Sequence, residues 1–334
     1  MWIPVAAIIA AYFALGDYSP TSSYWSRWLA VVAVLVAVIG RTYRWAAVAA
    51  ALAIAAYGAW IAVLTARPAY VLAALIVTVL SGLQLIRRLK FDPVHLIAVQ
   101  LAVALVLRWA WFLSSGVGLD PNSYAAGTPA TPFRAELPLL AMALAGVGLG
   151  LTRRLRPALE RLGAAVPRWW QVAIALLLAD AYILITVPVN LLTYRLMPGA
   201  YYAIADILHK TNAGLPYWAV VTYALLAGIC EESLFRGAIQ PRAGILLTAV
   251  LFAAIHVQYG LTPILGLVFT VGLVYGLIRK YLNLTTAMIA HAATDTGGFV
   301  FSNHWETTTL WLTVFLVVVA LNLGRRWTRA PAAC

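Results

Sequence analysis

Apolar runs, most of them long enough to cross a bilayer and separated by short connections that carry Arg and Lys, fill most of this 334-residue chain. A crossing helix needs about 20 apolar residues, and fewer where it is packed among neighbours. By that measure the sequence predicts twelve spans, near 2–15, 25–40, 45–66, 69–86, 94–114, 137–152, 170–193, 216–238, 243–259, 263–278, 283–302 and 308–324. The first and sixth are short, and fit interfacial or re-entrant segments as well as crossings. The expected fold is all-α, a polytopic integral membrane protein of about twelve transmembrane helices.

The basic residues give an independent reading of topology. With a cytoplasmic N-terminus, 17 of the 23 Lys and Arg fall in inner connections or the C-terminal tail, among them the run Arg153, Arg154, Arg156, Arg161 and Arg168. Arg236 and Arg242 are counted on that side too. Five fall outside (Arg27, Arg67, Arg134, Arg195, Lys210), and Arg108 lies within a span. That asymmetry is the positive-inside pattern, and aromatic pairs at run ends, such as Trp169 with Trp170, fit interfacial anchors. The N-terminus lacks the basic flank of a cleavable signal peptide, so the first run is expected to remain a span. The expected location is the inner (plasma) membrane, multi-pass, with both termini cytoplasmic.

Composition excludes other classes. Residues are 63% hydrophobic and 10% charged, where a soluble domain carries about a quarter charged. The net charge of +12 is dispersed in short clusters and forms no basic stripe with interleaved aromatics, so no nucleic-acid partner is expected. Cys230 and Cys334 cannot build a disulfide framework or a thiolate zinc site. The polar connections lie near 115–136, 153–168 and 194–215, the second of which reads as an amphipathic helix on the inner leaflet.

Chemistry concentrates near the C-terminus. Away from their ends, spans one to six hold Arg108 as their only charged residue, whereas Glu231, Glu232, Arg236, His256, His291 and Asp295 all fall in later spans. Each Asp, Lys or Arg at mid-bilayer costs roughly 2.5–3.5 kcal/mol, and such groups face a cavity or a partner. On a helix, Glu232 and Arg236 stand one turn apart, acid first, the favourable order for an i,i+4 pair. Glu231 is turned about 100° away and left to serve as a general base. Phe252 and His256 share a helix face, so the ring can pack beneath the imidazole. His291 and Asp295 also share one, and the carboxylate can fix the imidazole tautomer. Small residues around them, Gly272 and Gly276 included, permit close helix approach.

These residues resemble a known family: the CAAX-prenyl-protease and bacteriocin-processing (CPBP) proteins, also called abortive-infection-like or glutamic intramembrane proteases. The family pattern is E-E-x-x-x-R, F-x-x-x-H and H-x-x-x-N/D in that order, each on its own span. Here it stands as Glu231, Glu232 and Arg236, then Phe252 and His256, then His291 and Asp295. The resemblance covers about 170–325. It implies an intramembrane endopeptidase, a hydrolase in which Glu231 and His256 activate water against a peptide bond near the C-terminus or leader of a membrane-associated protein or peptide. His291 and Asp295 would serve the oxyanion, Asp295 by orienting His291, and Glu232 and Arg236 would hold the helices. Domains are expected at 1–168 (N-terminal helices of unassigned role), 169–325 (protease-type core) and 326–334 (cytoplasmic tail).

Geometry adds one requirement. A simple hairpin turning near Gln240 leaves Glu231 and His256 offset by about 10 Å along its axis, so a tilt, a broken helix or an asymmetric turn is needed, and Pro241 suits asymmetry. No cofactor is expected: His256, His291 and a carboxylate could in principle bind zinc, but no H-E-x-x-H occurs and the resemblance implies a metal-free mechanism. Rival classes are a non-catalytic scaffold or immunity protein, and a proton-coupled transporter, against which stands the lack of an inverted repeat. Asp180 reads as a structural partner of Arg108 in preference to a polar residue lining a cavity, Asn190 lies on the same span as Asp180, and His95, His209 and His304 are expected to be solvated.

Overall fold

The computed structural model describes residues 119–300 except 125, 151 and 152, together with 314 and 319. The first five predicted spans, nearly all of the last, Arg108, His95 and His304 lie outside the described residues. Among the described residues the chain is helical and contains no strand beyond an isolated bridge between Leu149 and Arg153.

In chain order the helices are α1 (Thr131–Gly146), α2 (Leu155–Leu162), α3 (Trp169–Leu196), α4 (Pro198–Asn212), α5 (Tyr217–Glu232), a π-helical segment (Ser233–Ile239), α6 (Gln240–Ile255), α7 (Pro263–Tyr281) and α8 (Leu284–Val300). Among the described residues three stretches are long and apolar enough to cross a membrane: Trp169–Leu196, Tyr217–Ile255 and Pro263–Tyr281. Large apolar side chains stand exposed on them, Leu184, Ile185, Leu191 and Leu192 among others. In water such a surface would be a liability, whereas in a bilayer it faces its solvent.

The second stretch is not one rod. Phe235 and Phe252 sit with ring centroids 5.4 Å apart, where a straight helix would hold them about 25 Å apart. The reversal falls at Gly244, whose φ of 79° and ψ of 170° belong to a region open only to glycine. Pro241 occupies the first turn of α6, where a missing N–H costs nothing. Moving the reversal from Gln240 to Gly244 removes most of the axial offset, because Glu231 and His256 then stand thirteen and twelve residues from the break. The returning limb, Ile245–Ile255, is about 16 Å long, roughly half the hydrocarbon thickness of a bilayer. It ends in a 3₁₀ turn, Val257–Tyr259, with Gly260 at positive φ before Pro263 opens α7.

Other departures from the sequence-based expectation have local causes. The predicted sixth run begins at 137, whereas α1 starts at Thr131, beside Pro132 at the helix N-terminus, and so encloses Glu136. The amphipathic connection forms a helix of eight residues, α2, which ends at Gly163 with φ 84°. Its end is tied down by Arg279 Nη2 donating to the Leu162 carbonyl (3.0 Å) and by Leu284 N donating to that of Gly163 (3.2 Å). Much of the connection near 194–215 is helical, as α4.

Helix α8 packs against α5 and α3, α6 packs against α7, and α1 closes over α5 and the π segment. The starts of α3 and α8 are joined through polar side chains: Asn283 Nδ2 donates to Gln171 Oε1 (3.1 Å), while Asn283 Oδ1 caps α8 by accepting from Thr286 N (2.8 Å). A side-chain cap of this kind contributes about 1 kcal/mol. Helices α5 and α8 approach closely at Gly228, where a Cβ would lie 2.7 Å from the Met288 carbonyl oxygen and 2.8 Å from Ala292 N.

Candidate active site

Glu231 and Glu232 are the last residues of α5, and the π segment carries Arg236. The pair expected from spacing forms: Arg236 Nη1 donates to Glu232 Oε1 at 2.8 Å, with both side chains fully buried. The guanidinium is further engaged by the Gly272 carbonyl, which accepts from Nη2 at 3.1 Å, and lies 4.1 Å from the Phe252 ring centroid. One turn on, Gln240 Nε2 donates to the Gly276 carbonyl at 2.9 Å. Two side chains of the hairpin thus read two successive glycine carbonyls on α7, which is reachable because neither glycine interposes a Cβ.

Glu232 Oε1 accepts a second bond, from His291 Nδ1 at 2.9 Å. The sequence reading gave this carboxylate to Arg236 alone and the tautomer of His291 to Asp295. Instead Asp295 Oδ2 stands 3.5 Å from Nε2, beyond a well-formed hydrogen bond. With Nδ1 donating to Glu232, the neutral ring has its lone pair on Nε2, so Nε2 and Asp295 need one proton between them. The imidazole is also stacked on Tyr275, centroids 5.1 Å apart at 25°, and the Tyr275 hydroxyl donates to Thr294 Oγ1 at 3.0 Å.

His256 closes the short limb. Its Nδ1 lies 2.8 Å from the Phe252 carbonyl; a carbonyl only accepts, so Nδ1 carries the hydrogen and Nε2 is the basic atom of the neutral ring. The ring packs on Phe252 at 4.9 Å and stacks on Tyr259 at 5.9 Å and 7°. Phe252 also meets His291 edge-on at 5.8 Å. One phenyl ring therefore contacts both imidazoles and the guanidinium.

Glu231 takes no part in the hydrogen bond of the Glu232–Arg236 pair, although both groups act on it electrostatically. It is 7% exposed, and its Oε2 has no hydrogen-bond partner. It interacts electrostatically with His291 and Asp295, and Tyr259, stacked on His256, interacts with both Glu231 and Asp295. Contacts and electrostatic interactions that run through Phe252, Tyr259 and His291 thus link the seven motif residues near the break of the α6 limb.

A carboxyl outside the motifs joins them. Glu136 of α1 is buried and interacts with Glu231, His291 and Asp295. Its position one residue before an apolar run disguised it as a flanking charge, although the Thr-Pro helix start five residues earlier is a signal that would have drawn it in. Asp180 is buried on α3, and its expected partner lies outside the described residues. His209 is exposed near the end of α4. Among the described residues no three His, Cys, Asp or Glu side chains are arranged to hold a metal ion.

Fold and site together define an α-helical membrane protein with a buried Glu, His and Arg cluster at a helix break. Residues 213–297 match the family of Rce1-like type II CAAX prenyl endopeptidases, the family that the three motifs resemble, and all seven motif residues fall inside the match. No curated protein and no solved structure matches the chain.

Proposed function

We propose that the protein is an intramembrane glutamic endopeptidase that hydrolyses a peptide bond near the C-terminus or leader of a membrane-associated protein. The observation that carries this reading is a spare carboxylate and two imidazoles gathered where the helix stops. Non-helical backbone at membrane depth is tolerated only where it is buried in protein or lines a wet cavity, and the segment from His256 to Thr262 is such a break.

In this reading Glu231 takes a proton from water as its oxygen bonds to the scissile carbonyl carbon, with His256 Nε2 holding the same water. The proton between His291 Nε2 and Asp295 hydrogen-bonds to the developing oxyanion and stays with the two side chains when the carbonyl re-forms. Glu232 keeps His291 aimed and Arg236 holds Glu232, so neither touches substrate. No metal takes part. The CAAX prenyl endopeptidase family supports a prenylated C-terminal tail as substrate class, with sorting signals and bacteriocin leaders as alternatives. A multi-pass inner-membrane location with both termini cytoplasmic completes the proposal.

The test is cleavage of prenylated and unprenylated C-terminal peptides by the full chain in lipid nanodiscs, read by mass spectrometry. Glu231→Gln and His256→Ala are each expected to lower kcat at least 100-fold while thermal unfolding stays a single cooperative transition. Cleavage at wild-type rate by Glu231→Gln would remove the reading.

A further inference from the structure

Two buried carboxyl oxygens on helices that pack together have no hydrogen-bond partner: Glu231 Oε2 on α5 and Glu136 Oε2 on α1. Glu136 is 3% exposed. It is held there because α1 packs on α5 and on the π segment, and Glu231 is its strongest charged neighbour. Cys230 and Tyr223 interact with both carboxyls, so the two glutamates share surroundings as well as a field. Among the described residues no arginine or lysine serves Glu136 as Arg236 serves Glu232; the other charged groups that interact with it are His291, which favours its ionised form, and Asp295, which opposes it. Glu136 also lies outside the matched residues 213–297.

We infer that Glu136 and Glu231 form a carboxyl pair holding one proton, in which Glu136 is the acid that protonates the leaving amine. Two like charges side by side away from water are costly, so such a pair retains a proton and divides into an acid and a base. The inference rests on the endopeptidase reading for its chemistry, though the pair itself does not. Glu231 takes a proton from water while the water oxygen bonds to carbon and the carbonyl electron pair moves to oxygen. The Glu136 proton then passes to the amide nitrogen as the C–N bond breaks and the carbonyl re-forms. Products are a carboxylic acid and an amine; transfer of the proton from Glu231 to Glu136 restores the starting state.

Two measurements test this in the full chain. In cleavage, Glu136→Gln keeps size and polarity but has no proton to give, and is expected to lower kcat about 100-fold or more with KM within about threefold. Glu136→Asp, which keeps an acid, is expected to recover part of the loss and serves as the readout if Gln disturbs the fold. A Glu136→Gln rate within threefold of wild type overturns the inference. In thermal unfolding, which needs no substrate, the effects of Glu136→Gln and Glu231→Gln are expected to be non-additive, because either change relieves the same crowding of charge. Additive shifts overturn the pair. A non-additive cycle in a protein that cleaves nothing would leave the pair standing and remove the endopeptidase reading, so the two failures are distinguishable.

Discussion

Replacing Gly228 by alanine is the sharpest steric test of the site, because Gly228 carries no chemistry and sits one turn before Glu232. Its added Cβ would lie 2.7 Å from the Met288 carbonyl oxygen, 2.8 Å from Ala292 N and 2.9 Å from Ala292 Cβ. Ordinary contact distances are roughly 0.5–1 Å longer, so α5 and α8 must part by about that much. The bond from His291 Nδ1 to Glu232, 2.9 Å in the native packing, would then stretch to about 3.4–3.9 Å, where little of it survives. Overpacking costs about 1–3 kcal/mol, and a displacement near 1 Å at a reacting group costs about 100-fold in rate. Expected results are a lower unfolding temperature in detergent and cleavage reduced by one to two orders of magnitude. Trimming Ala292 to glycine rescues little, since two of the three nearest atoms are backbone. Gly266→Ala is the control, because nothing lies within 4 Å of its Cβ and alanine is the better helix former by about 0.5–1 kcal/mol. Wild-type stability and activity in Gly228→Ala would refute the close-approach argument.

Glu232→Gln leaves the Arg236 charge buried without a counter-charge, and is expected to cost about 3–5 kcal/mol; adding Arg236→Met should recover much of that in the same melting assay, and a loss under about 1 kcal/mol for the single variant would contradict the pairing. Gly244→Ala should cost about 1–3 kcal/mol through backbone strain alone, since the space around its Cβ is open; unchanged melting would mean the reversal lies elsewhere. Chelation of divalent metals should leave peptide cleavage unchanged, and loss of activity restored by zinc would overturn the metal-free mechanism.

The later apolar spans were legible because burial in lipid leaves a length and composition signature: predicted runs at 170–193, 263–278 and 283–302 correspond to α3, α7 and α8 within a few residues. The Glu232–Arg236 pair was legible because i,i+4 geometry is local. The second partner of Glu232 was not, since His291 arrives from 59 residues away and spacing within one helix says nothing of what another brings. The turn was misplaced because Pro241 and Gln240 look like a break, whereas proline tolerates the first turn of a helix and the conformation that reverses the chain needs Gly244. Arg236 was counted among inner-side charges although it is fully buried; a topology tally cannot distinguish a solvated arginine from one neutralised inside the bundle. Glu136 was passed over because an acid next to an apolar run reads as the edge of the membrane.

The two imidazoles owe their hydrogen positions to acceptors of different kinds. A peptide carbonyl fixes His256, and no acidification within the physiological range changes what a carbonyl can accept. A carboxylate fixes His291, and that carboxylate is a side chain of another helix, held in turn by Arg236. Phe252 is the common apolar neighbour of both rings. One ring takes its tautomer from the main chain of its own helix, so helix formation alone sets it, while the other takes it from the packing of α5 against α8 and is right only once the bundle has assembled.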